Sequence, residues 1–389
     1  MNIGLLGFGV VGRGVYDMLA GRDDIRTAWV LCRRDLGELT ARTTYEMQDI
    51  LDDPAVDTVV EVMGGLHPAY EYVAAALRAG KNVVSSNKYL MCRYYDELTA
   101  LAKEHGAALR CTAAVGGGIP WLTNLEKAER ANHISRVWGI LNGTTNYIMD
   151  AMHGSDVDFA DVLAQAQALG YAEADPSADV DGLDVQNKAI VTCGIAFGFA
   201  PSHGQVPTFG IGSIQGQDVA DILSMGRVPK LLATARREGD SLCCTVEPVL
   251  VERGSLEAAV PLNNNLASLE AQGIGTLKFY GQGAGALPTG NAVVQDLLDI
   301  AQGCKDTPPR TGGALQSDLS LLRARWWLRL SPEAAQRAKE ELGAACESVR
   351  PRGEESVCLE TAELPAQDFY ALRSRLLALD PKLFAARFA

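Results

Sequence analysis

The sequence predicts an α/β protein, with a doubly wound parallel (Rossmann) sheet, a second α+β domain, and a small carboxyl-terminal unit. Three observations lead to this fold class. Short Val- and Leu-rich runs alternate with amphipathic helical patterns over the first 125 residues, which is typical of parallel strands buried on both faces. A glycine-rich turn follows the first strand. Longer elements replace this alternation after residue 125.

The first domain is assigned to residues 1–124. Its strands are expected in NIGLLGFG, TAWVLCRR, VDTVVEVMGG, KNVVSSNK and AALRCTAAV, and the intervening runs, such as YEYVAAALRAG, have helical periodicity. A later helix, at about residues 288–304, is expected to pack back on this domain.

The second domain is assigned to residues 125–287 and the carboxyl-terminal unit to residues 314–389. The second domain combines helical runs such as FADVLAQAQALG with the strand-like SLCCTVEPVLVE. The segment PPRTGG, at 308–313, precedes the elements of the carboxyl-terminal unit. The elements after it predict a βαββα order that resembles an ACT regulatory domain, and a structural or oligomer-forming tail is the alternative.

Composition and charge exclude several classes of protein. The chain has 389 residues, of which 47% are hydrophobic, and a net charge of -13, which disfavours a nucleic-acid-binding protein. Its nine cysteines and five histidines show no zinc-ligand spacing. The scattered, odd-numbered cysteines predict reduced thiols. We found no apolar run of membrane-spanning length and no signal peptide, so we expect a cytoplasmic protein without membrane contact.

The glycine turn GLLGFGVVGRGV predicts a dinucleotide site. Gly7, Gly9 and Gly12 have GxGxxG spacing between a strand and a helix, where they permit the tight turn, the approach of a pyrophosphate and close helix–strand packing. A glycine-rich turn without a ligand is the alternative. The loop residues expected to contact the cofactor are Gly7, Phe8, Gly9, Val10, Val11 and Gly12.

The end of the second strand bears on which cofactor is used. Arg33 and Arg34 stand where an acidic residue would bind the ribose 2′-hydroxyl of NAD. Because arginine suits a 2′-phosphate, we expect NADP(H) to be preferred and NAD(H) to be possible. Solvated or helix-capping arginines are the alternative.

The acidic stretch LGYAEADPSADVDGLDVQNK predicts a second site. Asp184 and Lys188 are four residues apart on one helical face, and Glu173 could face the same space. Carboxylates would bind the ammonium group of a substrate while the lysine transfers a proton. On spacing alone, a surface salt bridge is the commoner meaning of such a pair.

Lys88, at the end of VVSSNK, is either a second site residue or a solvated lysine at a strand end.

Several segments, taken in order, carry a family resemblance: GFGVVGRGV, EVMGGLHPA, GKNVVSSNK, AAVGGGIP, GILNGTTNYIM, AQALGYAEADPSADVDGLDVQNKA and GQGAGALPTGNAVVQDLLDIA. They resemble the homoserine dehydrogenases over about residues 1–305. The resemblance implies NAD(P)-dependent interconversion of L-homoserine and L-aspartate 4-semialdehyde, in threonine and methionine biosynthesis. It also suggests a homodimer or homotetramer.

The resemblance assigns roles to particular residues. Lys188 matches the general acid/base, Glu173 and Asp184 match the positions that hold the substrate amino group, and Lys88 matches a lysine between nicotinamide and substrate. Further cofactor contacts are implied at Gly64, Gly170 and Gly283.

A sodium ion is also implied by the resemblance, near the turn TAAVGGGIP. The backbone carbonyls of Val115, Gly117 and Ile119 would bind it. Thr112 stands where the family pattern is expected to have a glutamate, and SSNK replaces the more usual TANK. The first departure removes the formal charge that would favour a cation.

Two other functions stay open at this point. One is a different amino-acid-linked NAD(P) dehydrogenase, although no cysteine has the setting of an acylating nucleophile. The other is a non-catalytic NADP(H) sensor, which would have no use for Lys188 together with Glu173 and Asp184. The resemblance alone suggests feedback by threonine through the carboxyl-terminal unit.

Overall fold

The computed structural model describes residues 1–37, 39–154, 157–304 and 315–389. The segment PPRTGG, at 308–313, and residue 314 lie outside the described residues. Two compact units divide the chain. Unit 1 comprises Met1–Asn132, Ile190–Ala200 and Phe279–Gly312, and unit 2 comprises His133–Ala189, Pro201–Lys278 and Gly313–Ala389.

The helices, in chain order, are α1 (Val10–Leu19), α2 (Met47–Asp52), α3 (Ala69–Arg78), α4 (Lys88–Glu104), α5 (Trp121–Glu129), α6 (Gly143–Ala151), α7 (Phe159–Ala168), α8 (Ser177–Val180), α9 (Leu183–Phe197), α10 (Gly216–Ser224), α11 (Ala286–Ala301), α12 (Pro332–Leu342) and α13 (Ala366–Leu379). None of the described helices is both long enough and apolar enough to cross a membrane.

Unit 1 contains the predicted Rossmann-like sheet. Its six strands are all parallel and are arranged β3-β2-β1-β4-β5-β6. They are β1 (Asn2–Leu6), β2 (Arg26–Leu31), β3 (Arg42–Thr44), β4 (Thr58–Glu61), β5 (Asn82–Ser85) and β6 (Leu109–Arg110). The strand order reverses at β1 and β4, so the carboxyl ends of β1, β2 and β4 form the crevice where a dinucleotide binds in such sheets.

Unit 2 contains a larger mixed sheet. Its strands are β7 (Ile134–Ile140), β8 (Arg227–Glu238), β9 (Ser241–Glu252), β10 (Asn264–Ala271), β11 (Gly275–Gln282), β12 (Gln316–Ser317), β14 (Trp326–Leu330), β15 (Cys346–Arg352), β16 (Ser356–Thr361) and β18 (Phe384–Phe388), while β13 (Arg323–Ala324) and β17 (Leu364–Pro365) form a separate pair. The order is β11-β10-β7-β8-β9-β18-β14-β16-β15, and β12 pairs with β9.

The carboxyl-terminal elements include four strands that the sequence did not predict: the two-residue strands β12, β13 and β17, and the longer β18. The predicted βαββα order is present as β14, α12, β15, β16 and α13, and β18 follows it. This last strand has the sequence FAARF, in which four of five residues are buried, so it lacks the alternation that reveals a half-exposed strand. It lies between β9 and β14, and the terminal strands therefore extend the sheet of unit 2. The ACT-like assignment and the proposed domain boundaries stay predictions.

Helix α11 packs on α1 within unit 1, through glycines. A Cβ atom added to Gly14 would lie 2.3 Å from the carbonyl oxygen of Ala286, and one added to Gly290 would lie 3.0 Å from the carbonyl carbon of Gly14. This close approach brings Val293 and Leu297 onto the same buried apolar cluster as Ile3 and Leu5. Burial of such side chains contributes about 1.5–3 kcal/mol each.

We expect Gly14→Ala to lower the free energy of unfolding by about 1–3 kcal/mol, because the new methyl group collides with backbone, which yields less readily than a side chain. The higher helix propensity of alanine offsets up to about 1 kcal/mol of this loss. Urea unfolding followed by circular dichroism measures the difference. Gly254→Ala is the matched control, since a Cβ there meets nothing within 4 Å. Equal unfolding midpoints for the two variants would contradict the packing argument.

Candidate active site

A cavity of about 590 Å³ opens at the glycine turn, beside the carboxyl ends of β1, β2 and β4. Residues that line it come from the turn, the ends of β2 and β3, and the segment that runs from the end of β4 into α3: Gly7, Phe8, Gly9, Leu31, Cys32, Arg33, Arg34, Tyr45, Val62, Met63, Gly64, His67, Pro68 and Tyr72. No Asp or Glu is among them. The cavity therefore favours an anionic ligand.

The glycines of the turn have the separate roles that their spacing predicts. Gly7 adopts a φ of +100°, and a Cβ atom at Gly12 would lie 2.2 Å from the carbonyl oxygen of Gly7. A Cβ atom at Gly9 would meet nothing within 4 Å. Helix α1 begins directly after Gly9, so its free N–H groups are available to a phosphate. Val10 is 69% exposed, while Val11 and Gly12 do not line the cavity.

The two arginines after β2 reach this cavity. Arg33 and Arg34 both line it, and Arg34 donates a hydrogen bond from Nη2 to the carbonyl oxygen of Phe8 at 3.0 Å. The next acid, Asp35, is not a lining residue, and its carboxylate accepts from the backbone N–H of Gly37 at 2.9 Å. The end of β2 thus presents positive charge to the cavity.

Sequence reasoning missed Glu61, a fully buried acid at the end of β4. Its carboxylate accepts hydrogen bonds from the backbone of Met63 (2.8 Å) and Gly64 (3.3 Å) and from the Ser85 hydroxyl (2.6 Å). Burial raises the pKa of Glu61 above its ordinary value. The carboxyl group joins the loop that carries Gly64 to the end of β5. The acid stands out in the apolar run VDTVVEVMGG, and that contrast was the available signal.

Lys88 is the first residue of α4 and follows β5 in the same region of unit 1. The preceding Asn87 caps the helix by accepting from the backbone of Leu90 at 3.2 Å, and its amide donates to the carbonyl of Gly65 at 2.6 Å. Lys88 is half-buried, with Nζ 4.8 Å from the centre of the Tyr89 ring. Its backbone position is therefore fixed by the loop that also carries Gly64.

Lys188 and Asp184 form a buried ion pair on α9 in unit 2. The distance from Lys188 Nζ to Asp184 Oδ2 is 2.8 Å, and Nζ also donates to the carbonyl oxygen of Leu141 at 2.6 Å. The two side chains are only 12% and 8% exposed. The pair is therefore not the solvated surface salt bridge that spacing alone suggested.

Asn142 and Asp179 complete this cluster, and neither was singled out from the sequence. The amide of Asn142, directly after β7, donates to Asp179 Oδ1 at 2.6 Å and to Asp184 Oδ2 at 2.8 Å. Burial, and then the nearby Asp184 carboxylate, raise the pKa of Asp179. Two carboxyl groups and one ammonium give the cluster an excess of acid, which suits a cationic group on a ligand.

Glu173 and Gly170 lie in the loop between α7 and α8, and both are exposed. The backbone carbonyl of Glu173 accepts from the Gln167 amide at 3.0 Å. Among the described contacts, no hydrogen bond or ion pair joins the Glu173 carboxylate to Lys188 or Asp184. Gly170 has a φ of +75°, which favours glycine at the end of α7.

The turn around Val115, Gly117 and Ile119 is buried and tight. Gly116 and Gly117 have φ angles of +95° and +52°, and a Cβ atom at Gly117 would lie 2.5 Å from the carbonyl of Gly283. Both loops belong to unit 1, and a side chain at 117 would force them apart. Among the described residues, no group of three or more His, Cys, Asp or Glu side chains could hold a metal ion.

A buried carboxyl group supports this turn from α11. Asp296 accepts hydrogen bonds from the Thr112 backbone (2.9 Å) and the Thr112 hydroxyl (2.8 Å), and Arg110 Nε lies 3.6 Å away. Burial outweighs these interactions and raises the pKa of Asp296 from 3.8 to about 7. Thr112, which stands in place of the expected glutamate, thus contacts an acidic residue from elsewhere in the chain, Asp296.

Two family models match the chain: the homoserine dehydrogenase NAD-binding domain over residues 7–112 and homoserine dehydrogenase over residues 120–298. Among curated relatives, homoserine dehydrogenase of Bacillus subtilis is 36% identical over 77% of this chain and 72% of its own. That of Synechocystis is 38% identical over 77% and 73%. The crystal structure of a homoserine dehydrogenase from Thiobacillus denitrificans superposes with a TM-score of 0.89 at 31% identity, covering 100% of this chain and 98% of that one.

We expect the stability of the protein to fall as the pH rises from about 4 to about 7, partly through Asp296. In this window the folded chain keeps a proton on Asp296 that the unfolded chain has lost, because the pKa is about 7 when folded and 3.8 otherwise. In Asp296→Asn, the free energy of unfolding should fall by about 1–3 kcal/mol less over this pH range than in the wild type. Urea unfolding at a series of pH values measures the difference.

Asp299→Asn is the control for that series, because Asp299 also contacts Arg110 but its side chain is 37% exposed. It should keep the pH dependence of the wild type. If Asp296→Asn and the wild type gave parallel curves, Asp296 would not hold a proton in the folded state.

Proposed function

Since the chain belongs to the homoserine dehydrogenase family, we propose that Lys188 performs the proton step of the family reaction and that the cavity at the glycine turn binds NADP(H). The protein is an NAD(P)-dependent oxidoreductase that acts on a CH–OH group and interconverts L-homoserine and L-aspartate 4-semialdehyde. The observation that carries the proton assignment is the buried contact of Lys188 with Asp184 and Leu141. The other dehydrogenase and the cofactor sensor are not favoured.

The cofactor-binding residues follow from the charge and shape of the cavity. When bound, a nicotinamide cofactor supplies or accepts the hydride. Gly7, Phe8 and Gly9 would hold the pyrophosphate at the start of α1, since the backbone there is open to a ligand. Val10, Val11 and Gly12 continue this turn into the helix. Arg33 and Arg34 would bind the 2′-phosphate, which is why we propose a preference for NADP(H) over NAD(H).

Four further residues are assigned to the cofactor or its reacting end by the resemblance. Gly64 lines the same cavity as the glycine turn. Gly170 and Gly283 are proposed as backbone contacts, where a side chain would obstruct the approach. Lys88 is proposed to lie between nicotinamide and substrate, and its fixed place after the Asn87 cap supports a positioning role.

Lys188 has the hydrogen-bonding capacity that proton transfer requires. An ammonium group has three N–H donors, and Asp184 and the Leu141 carbonyl accept two of them. The third would be donated to the carbonyl oxygen of the semialdehyde as it becomes the alcohol of homoserine. In the opposite direction, the neutral amine of Lys188 would accept the hydroxyl proton of homoserine, while the carbon that carries this hydroxyl gives its hydride to the cofactor.

The acidic residues around Lys188 suit the amino group of the substrate. We propose that Asp184 and Glu173 bind the ammonium of homoserine, and we add Asp179, which Asn142 holds beside Asp184. Burial and a neighbouring carboxylate raise the pKa of Asp179. A bound ammonium would counteract these two effects on the pKa, because it favours the ionised carboxylate. Glu173, on an exposed loop, would close over the substrate.

A sodium ion is proposed at the carbonyl oxygens of Val115, Gly117 and Ile119. Hard cations take oxygen ligands, and this buried turn is held tight by two glycines of positive φ. The Ile119 carbonyl already accepts from the Trp121 backbone at 2.6 Å, so it would offer its second lone pair.

The setting of the enzyme is inferred from the resemblance and from its thiols. The nine cysteines are predicted from their spacing to be reduced thiols, which suits the cytoplasm. The family resemblance further suggests assembly as a homodimer or homotetramer. Its reacting partner is a small amino acid, and the net charge of -13 offers nothing to nucleic acid.

Lys188→Ala should lower kcat/KM for homoserine oxidation by at least about 100-fold, because general acid–base catalysis contributes about that much or more. Binding of NADPH, measured by fluorescence titration, should stay unchanged. Lys188→Arg should be equally inactive, since arginine keeps the charge but cannot act as a base. Lys103→Ala, on an exposed part of α4, is the control. Turnover of Lys188→Ala within tenfold of the wild type would refute the assignment.

The wild type should have a higher kcat/KM with NADP+ than with NAD+. Arg34→Ala should raise the KM for NADP+ by about tenfold and leave that for NAD+ nearly constant, because a hydrogen bond to a charged group is worth about 1.5–3 kcal/mol. Steady-state assays with both cofactors measure this. Arg26→Ala, at the start of β2 and outside the cavity, should have no effect. Equal use of both cofactors by the wild type would exclude the proposed role of Arg33 and Arg34.

A further inference from the structure

A second cavity, far along the chain from the glycine turn, lies within unit 2 and is lined by four arginines. Its volume is about 180 Å³. The lining residues are Arg136, Thr234, Arg236, Cys243, Thr245, Leu321, Leu322, Arg323 and Arg387, with no acid among them. Since a water molecule takes about 30 Å³, the space suits a group of a few heavy atoms rather than a nucleotide.

The sheet places these side chains on one face. Arg136 on β7 lies directly opposite Arg236 on β8, which in turn lies opposite Cys243 on β9. The next residues on the same face are Thr234 and Thr245, which also oppose each other. Two like charges opposite each other across a strand pair destabilise a sheet. The Arg136–Arg236 pair therefore costs stability unless a negative charge compensates it.

Glu247, a buried acid that contacts the cavity-lining Arg387, already has its own partners. Glu247 accepts from Arg387 Nε at 2.7 Å, from the Tyr370 hydroxyl at 3.1 Å and from Trp326 Nε1 at 3.4 Å. Its charge balances Arg387, which is buried with it. Burial and the neighbouring Cys244 and Glu247 raise the pKa of Cys243 to about 12, so this thiol adds no negative charge.

The charges of the other three arginines are only weakly compensated by neighbouring acids. Arg236 pairs with Glu238, and Arg323 pairs with Glu363 at 3.0 Å, but both members of each pair are at least half exposed, and such pairs contribute about 0–1 kcal/mol. The guanidinium of Arg136 lies 4.6 Å from the Trp138 ring. Arg136 lies opposite Glu270, an exposed acid on the neighbouring strand β10. The Glu257 carboxylate also favours the charged form of Arg136, but it already accepts hydrogen bonds from Lys278 and Trp138.

We propose that this cavity binds a tetrahedral oxyanion, phosphate either free or as a small monoester. Arg136 and Arg236 would bind it with their planar N–H donors, which match phosphate oxygens in pairs. The Thr234 and Thr245 hydroxyls would add neutral hydrogen bonds, and Arg323 would complete the exposed side. The site is separate from the cavity at the glycine turn, and it does not depend on the activity proposed above.

The test is isothermal titration of the full-length protein with inorganic phosphate, against sodium chloride of equal ionic strength. Arg33→Gln with Arg34→Gln serves as the background, so that phosphate does not bind at the cofactor cavity. In that background we expect one phosphate per chain. Adding Arg136→Gln or Arg236→Gln should weaken binding by about tenfold or more. Arg237→Gln is the matched control, since this neighbour on β8 does not line the cavity.

Glycerol phosphate distinguishes the two sources of the ligand. Tighter binding than inorganic phosphate assigns the site to a monoester, and weaker binding assigns it to the free ion, and both support the proposal. The exposed Arg236→Gln keeps the test valid if Arg136→Gln fails to fold. Absence of saturable phosphate binding, or equal binding by the Arg236→Gln and Arg237→Gln variants, would overturn it. A change of oligomeric state in Arg236→Glu without phosphate binding would instead assign the arginines to a protein interface.

Discussion

The buried contact between the Lys188 ammonium and the Asp184 carboxylate constrains the organisation of its neighbourhood in unit 2. Charges removed from water are tolerated only where their remaining donors and acceptors are bonded. The Leu141 carbonyl takes one N–H of the ammonium, and the Asn142 amide donates to Asp184. The end of β7 and the first turn of α9 must therefore meet, and neither can shift without leaving a buried charge unpaired.

Glu61 imposes a comparable constraint on unit 1. A fully buried carboxyl group at the end of β4 gathers the backbone N–H groups of the next loop and the hydroxyl at the end of β5. These contacts fix the loop that carries Gly64 and the Asn87 cap that begins α4 at Lys88. Packing of apolar strands makes the sheet, but bonded buried polar groups set the positions of the residues at its edge.

The sequence was sufficient to predict a site or element where its residues lie close together along the chain. The glycine turn, the parallel strands, and the Asp184–Lys188 pair on one helical face could be read from spacing alone. Asp179 could not be distinguished from the other acids of the same acidic stretch, because only the fold brings Asn142 beside it. Strand β18 lacks alternation because it is buried inside a sheet. Burial by distant segments is the information that one stretch of sequence does not carry.

Strand β7 shows how one element can serve two sites without mixing them. Its residues alternate between faces, so Arg136 and Trp138 share the arginine-lined face while Val137 is buried on the other. The strand then ends at Ile140, and the next two residues supply the Leu141 carbonyl and the Asn142 amide to the Lys188 cluster. About five residues, or roughly 17 Å of extended chain, separate Arg136 from Leu141. Because both ends are held by charged groups, displacement of β7 along its length would disturb the two sites together.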